Sequence, residues 1–247
     1  MPRFYLPPDS WDPEHFALSG PEAHHCVDVL RMKAGERATL FNGLGLHAQV
    51  ELVCANRQRV EFRCVELRQA AAPGCRITLG QAIPKGKNME LILEKATELG
   101  AGAIAPLLTA RTVVQLDARD SARKQEKWQR VALEAAKQCG QNWLPTVHQP
   151  QTLASFFETH PAGFDLMLIG SLESDARLLK TVLAERSGQR PASALILIGP
   201  EGDFTPGELA LARSRGCAPL TFGPIILRTE TAAIYCLSVL AHELLGL

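Results

Sequence analysis

Apolar positions change their period once, decisively, along the 247-residue chain. Up to about residue 70 they fall in short runs: "RFYL" from residue 3, "RATLFN" from 37, "HAQVELVC" from 47 and "RVEFRCVEL" from 59. The last alternates clearly, as a strand with one buried face does, and "NGLG" at 42–45 is a turn signal between two of the others. One helix interrupts them. It begins at "SGPE", where Ser19 and Glu22 have capping-box spacing and Pro21 falls in the first turn, and it runs through "AHHCVDVLRM".

After "RQAAAPG" at 68–74, a small segment without periodicity, strands and helices alternate. "RITLGQA" is strand-like, and Met89, Ile92, Leu93, Ala96 and Leu99 then follow helical spacing up to Gly100, a C-terminal cap. "AIAPLL" is a strand again. A long helix near 121–139, the strand "DLMLIG", a helix from about Asp175, the strand "ALILIG", the helix "PGELALARSRG", the strand "APLTF" and a terminal helix complete the series. Apolar strands alternating with amphipathic helices predict a parallel sheet covered on both faces. The expected organisation is a β-rich domain over 1–70 and an α/β domain over 74–247, with no internal repeat.

Composition narrows this picture. With 46% hydrophobic residues, 21% charged and a net charge of zero, the chain is neither wholly disordered nor a simple basic coat for nucleic acid. The charge is uneven: residues 71–140 hold 11 Lys and Arg against 7 Asp and Glu. That bias suits a polyanionic partner, and a solvated helix face such as "ARKQEKWQR" at 122–130 produces the same count. Seven cysteines without a C-x-x-C pair predict reduced, packed thiols rather than a disulfide framework or a zinc site, so no metal is expected. "MPRFYLPPDSW" lacks a signal-peptide layout and no apolar run approaches a membrane span, which predicts a cytoplasmic protein without a membrane partner.

Parallel sheets bind ligands beyond the carboxyl ends of their strands, and three loops stand there: "GSLES" at 170–174, "GPEGDFTPGE" at 199–208 and "FGPIILRTETA" at 222–232. In the second, Gly199 and Gly202 permit close backbone approach, and Thr205, Pro206 and Glu208 read as cap, first helical residue and capping-box partner. Neither a dinucleotide fingerprint nor a P-loop is present, which disfavours a nucleotide-dependent oxidoreductase. In the third, Glu230 complements a helix start. Arg228 has no such role there; it pairs with Glu230, binds an anion or lies in solvent, and its planar fork suits a phosphate or a nucleobase carbonyl. Arg3, Arg31, Lys33, Lys85 and Lys87 are phosphate-contact candidates or solvated surface groups. His24 and His25 read as packing and surface residues, and Cys139 and Cys236 as core.

"LILIGPEGDFTPGEL" followed by "LTFGPIILRTETAAIYCLSVL" resembles the paired signature of the ribosomal RNA small subunit methyltransferase E family, uracil-N3 methyltransferases of 16S rRNA within the SPOUT superfamily. "RFYL", "HHCVDVLRMKAGERATLFNG", "GQAIPKGKNMELILEKATELGAGAIAPLLTART" and "KWQRVALEAAKQCG" extend the resemblance over nearly the whole chain. It implies a small PUA-like RNA-binding domain followed by an α/β methyltransferase domain with a trefoil knot, an exception to the rule that connections do not thread loops. It also implies a homodimer, S-adenosyl-L-methionine as cofactor, and 16S rRNA or the small ribosomal subunit as partner.

By position, the resemblance assigns Leu172, Ile198, Gly199, Glu201, Gly202, Phe222, Gly223, Ile226, Leu227, Thr231 and Ala232 to the cofactor pocket. Arg228 and Glu230 face the reacting uracil, and Arg3, Arg31, Lys85 and Lys87 hold RNA. Asp203 stands where many members have a second glycine, and Ile225 and Gln141 where members often carry a basic residue. The rival expectations are a SPOUT enzyme acting on a ribose 2′-hydroxyl and a non-catalytic RNA-binding assembly factor.

Overall fold

The computed structural model describes residues 1–114, 116–186 and 190–246, and its chain divides into two compact units. One comprises Met1–Ala72 with Ala136–Leu144, the other Pro73–Ala135 with Pro145–Leu247.

The first unit is a five-stranded sheet of β1 (Arg3–Tyr5), β2 (Phe16–Ser19), β3 (Arg37–Phe41), β4 (Leu46–Ala55) and β5 (Arg59–Gln69), in the order β1-β3-β4-β5-β2. All pairings are antiparallel except β1 with β3. Phe4, Phe16, Leu18, Leu40, Val50, Leu52 and Phe62 form its core. Strand β2 is absent from the sequence reading: the three apolar residues Phe16–Leu18 between polar "DPEH" and "SGPE" carry too short an alternation to register. Helix α1 (Gly20–His24) continues as one π-helical turn, His25–Val29.

The capping box expected there does not form. Ser19 is the N-cap but makes no side-chain cap bond, and the Glu22 carboxylate instead accepts from Lys137 Nζ at 2.9 Å. An ion pair largely removed from water outcompetes a cap exposed to it, since charges attract more strongly at low dielectric. His24 is exposed and its ring sits 2.7 Å from Asp28, while the His25 ring packs edge-on against Phe4, as expected of surface and packing residues.

Residues 136–144 join this unit through contacts that no local pattern announces. The Trp143 indole donates to the Ala71 carbonyl at 3.0 Å and lies on Gly45, where a Cβ would stand 2.6 Å from the ring and φ is +92°. Only glycine satisfies both demands.

The second unit is a parallel eight-stranded sheet. Its strands are β6 (Arg76–Ala82), β7 (Ala103–Leu108), β8 (Thr146–Val147), β9 (Gln151–Thr152), β10 (Leu166–Gly170), β11 (Arg177–Leu178), β12 (Ser193–Ile198) and β13 (Ala218–Thr221). They run in the order β11-β13-β10-β12-β6-β7-β8, with β9 also on β7. Helices α2 (Asn88–Glu98), α3 (Ala118–Cys139), α4 (Leu153–Thr159), α5 (Leu179–Ala184) and α6 (Pro206–Ser214) connect them, the last turn of α3 belonging to the first unit, and α7 (Thr229–Leu240) follows the last strand. Residues Ala194–Ile198 of β12 are all buried, as a strand covered on both faces must be. Gly100 follows the end of α2 at φ +78°, in the left-handed conformation that closes a helix.

Two expectations are corrected here. The helix expected from about Asp175 starts at Leu179, because Arg177 and Leu178 pair with Leu220 and Thr221 at the sheet edge. There Arg177 holds both oxygens of Glu185 at 2.7 and 2.8 Å, and Asp175 accepts from Arg213. Cys139 is exposed at the end of α3 rather than core. Cys236 is core, and burial pushes its thiol up to about 12. Among the described residues no group of side chains fits a metal ion, and no helix is long and apolar enough to cross a membrane.

Candidate active-site cleft

Strands β12, β10 and β13 are sheet neighbours, so the loops after them emerge side by side at their carboxyl ends. Together they line a cleft of about 510 Å³, within the usual range for small-molecule sites. Gly170–Glu173 forms one wall, Ile198–Glu201 and Asp203 the second, and Thr221–Thr229 with Ala232 the third.

Each loop is shaped by identifiable contacts. Any side chain at Gly170 would meet the Phe222 ring at 3.2 Å, so that glycine lets the third loop close over the first. Asp203 adopts φ +62°, an uncommon conformation for a residue with a Cβ. Its carboxylate offsets the strain by accepting from Phe204 N at 2.8 Å and, across the cleft, from Leu172 N at 3.4 Å. Glu201 lines the cleft while its Oε1 accepts from Lys85 N at 2.9 Å, which ties the loop after β6 to this wall. Arg111 Nη1 donates to the Gly202 carbonyl.

Of the expected cofactor residues, Leu172, Ile198, Gly199, Glu201, Phe222, Gly223, Ile226, Leu227 and Ala232 line the cleft. Gly202 does not, being turned toward Arg111, and Thr231 is exposed on α7 outside the lining. Arg228 lines the cleft and is exposed; Glu230 is half-buried beside it and outside the lining. Among the described ion pairs none joins the two. The floor and rim are unlike. Ile198 and Ala232 are buried, whereas Leu172, Ile225 and Ile226 stand 63%, 70% and 78% exposed, an apolar rim open to solvent.

Residues that the sequence reading passed over hold the floor together. Thr229, nine-tenths buried, donates to the Gly199 carbonyl at 2.7 Å and accepts from Gln81 Nε2 at 3.0 Å. The available signal was the amide in "RITLGQA", one uncharged polar side chain near the carboxyl end of an apolar strand.

The expected RNA contacts are not among the lining residues. Lys85 and Lys87 are exposed on the loop before α2. In the first unit Arg31 is exposed at φ +53°. Arg3 there is half-buried over the Phe41 ring, donates to Asn142 Oδ1 at 2.7 Å, and has its pKa lowered by burial. Gln141 turns its side-chain oxygen onto the amides of Asn142 and Trp143, a role that a basic residue does not perform.

Comparison with known proteins adds a consistent set of relatives. The model of an RNA methyltransferase domain matches residues 71–241, and that of an RNA methyltransferase PUA domain matches 18–63. Ribosomal RNA small subunit methyltransferase E of Bacillus subtilis is 31% identical over 92% of this chain and 90% of its own length. The protein of the same name from Synechocystis is 32% identical over 96% of this chain and 76% of its own. Among solved structures, a ribosomal RNA small subunit methyltransferase E from Neisseria gonorrhoeae bound to S-adenosyl methionine superposes with a TM-score of 0.85. It shares 29% identity and covers 98% of each chain. A Legionella pneumophila protein in complex with the cofactor SAM has the same TM-score at 33% identity, covering 98% of this chain and 96% of its own.

Proposed function

We infer that this chain, which belongs to the ribosomal RNA small subunit methyltransferase E family, methylates N3 of a specific uracil in 16S rRNA using S-adenosyl-L-methionine. The observation that carries the reading is the cleft itself: three loops at adjacent strand ends with the guanidinium of Arg228 on its lining, in none of the ion pairs found among the described residues. Its residues fit the cofactor. Ile198, Leu227 and Ala232 offer apolar walls to an adenosine, and the carboxylates of Glu173 and Asp203 suit a cationic sulfonium and ammonium.

S-adenosylmethionine supplies a methyl carbon already activated by its sulfonium, which leaves alignment and removal of the uracil N3 proton to the protein. Alignment alone contributes up to about 7–11 kcal/mol in well-oriented systems. Arg228 donates to the uracil carbonyl oxygens and stabilises the charge that develops as N3 loses its proton. Glu230, or a water it holds, accepts that proton, a contribution of about 10²–10⁴-fold.

The domain over 1–70, completed by residues 136–144, serves as the PUA-like RNA-binding part, and the rest of 74–247 as the knotted methyltransferase. Arg31, Lys85 and Lys87 contact phosphate, so RNA affinity falls steeply with salt. Because the target base lies in folded RNA, shape and an unstacked uracil select it rather than a groove code. The open apolar rim of Leu172, Ile225 and Ile226 suits burial against a second copy in a homodimer acting in the cytoplasm. Mass spectrometry of 16S rRNA nucleosides from cells with and without the gene tests the reaction. N3-methyluridine disappears with the gene; an unchanged level overturns the reading, and loss of a 2′-O-methyl nucleoside instead establishes the ribose rival.

A further inference from the structure

Strand β6 carries one amide into the middle of the sheet. Gln81 is fully buried, in register with Ile198 of β12 on one side and Pro106 of β7 on the other. Its Nε2 donates to the Ala82 carbonyl at 2.8 Å and to Thr229 Oγ1 at 3.0 Å. Thr229 in turn donates its hydroxyl hydrogen bond to the Gly199 carbonyl at 2.7 Å. Chemistry fixes the orientation of the amide: a carbonyl and a hydroxyl that is already donating both require the nitrogen. Gln81 Oε1 is consequently buried with no hydrogen-bond partner among the described residues.

An orphaned acceptor lowers stability, and an apolar side chain of similar shape removes that deficit. The amide is therefore explained by what it holds. Thr229 opens α7 between Arg228 and Glu230, and no side chain caps that helix. Gly199 lies in the second wall of the cleft. The relay thus joins the end of β6, the end of β12 and the first turn of α7.

We propose that Gln81 is a positioning residue: through Thr229 it fixes the first turn of α7, and with it Arg228 and Glu230, against the Gly199 loop. The proposal rests on the methyl-transfer reading above. Its test uses the full-length protein with Gln81→Met, which keeps volume without the donor, Thr229→Val, which keeps shape without the hydroxyl, and Thr229→Ser.

Displacement of reacting groups by about 1 Å costs about 10²-fold, so Gln81→Met and Thr229→Val are expected to lower kcat about 10- to 100-fold. KM for RNA shifts by less than about threefold, because RNA binding is not what the relay supplies. The thermal midpoint of Gln81→Met stays level or rises, Thr229→Ser recovers most of the lost kcat, and the double variant is no worse than either single one. The Ala232 amide, bonded to the Arg228 carbonyl at 2.8 Å, exchanges with solvent faster in both Gln81→Met and Thr229→Val.

Unchanged kcat in Gln81→Met and Thr229→Val overturns the proposal. So does a loss that follows the thermal midpoint with Thr229→Ser no better than Thr229→Val. Should Gln81→Met not fold, the two Thr229 variants decide. Should the wild-type protein leave uracil N3 unmodified, the functional reading fails separately; exchange at Ala232 then decides the relay, and unchanged protection there overturns it.

Discussion

Helices α6 and α7 start beside the same cleft with nearly the same backbone at their N-caps: φ −73°, ψ 159° at Thr205, and φ −64°, ψ 152° at Arg228. At the first, every local rule is met. Glu208 N donates to Thr205 Oγ1, Thr205 N donates to the Glu208 carboxylate at 2.8 Å, Pro206 opens the helix, and Ala110 N donates to the remaining Glu208 oxygen at 2.8 Å. At the second, the cap position holds a cation with no cap bond, and the amide beneath it leaves an acceptor orphaned. One start is built to hold a loop still, the other to present side chains. Proteins depart from local consistency chiefly where chemistry requires it.

Arg228→Ser breaks this contrast most directly, since it places a preferred cap on a backbone already shaped for one. Methyl transfer should fall about 10³-fold, about 4 kcal/mol of lost transition-state stabilisation. Folding stability should rise by about 0.5–1 kcal/mol from the new cap and the removed cation. Rapid-quench methylation and thermal unfolding read the two changes; calorimetry should find S-adenosylmethionine bound as before. Loss of cofactor binding without a slower chemical step would remove Arg228 from the reaction. Glu230→Gln follows, with kcat lower by about 10²-fold. If kcat is untouched, Glu230 only complements the helix end.

On the other side of the comparison, Thr205→Ala should cost about 1 kcal/mol of stability. For a chain of this size that is a melting shift of about 2–4 °C. Methyl transfer should remain within about twofold, because Thr205 lies outside the cleft lining. A large loss of activity would show that the α6 loop also acts, and the contrast would fail.

The same two starts show what was legible in the sequence. The Thr205–Glu208 box is local, spans four residues, and forms as read. The Ser19–Glu22 spacing is identical, yet tertiary competition from Lys137 captures Glu22. The parallel sheet was legible because runs such as "LILI" at 195–198 carry their burial in their composition. Two-residue strands β8, β9 and β11 were not, being too short to show a period and defined only by their partners. Arg228 announced itself as a cation at a helix start. Thr229 and Gln81 did not, because their relay spans 148 positions and exists only after β6 and α7 meet. Nor did Trp143 on Gly45, a contact whose strict spatial demand leaves in the sequence only a glycine in a turn.

The smallest effect concerns pH and separates holding from acting by a different route. His148 follows β8, with its amide bonded to the Ile104 carbonyl, and its ring sits 6.1 Å from that of His160. Burial first, then His160 and Arg76, hold its pKa below the ordinary 6.5. The folded state therefore binds fewer protons than the unfolded one. Its stabilising effect is complete above the unfolded value and is lost as pH falls through 6.5 toward the folded value. The urea midpoint should accordingly be lower at pH 5.5 than at pH 7.5, and His148→Gln should flatten that slope while leaving the shape of the pH–rate profile intact. His148 is not among the residues lining the cleft, so the two profiles have no common titrating group through it. If His148→Gln reshapes the rate profile as well, the elements that hold this sheet are coupled to the residues that act, and the division between the two helix starts describes one cooperative device rather than two.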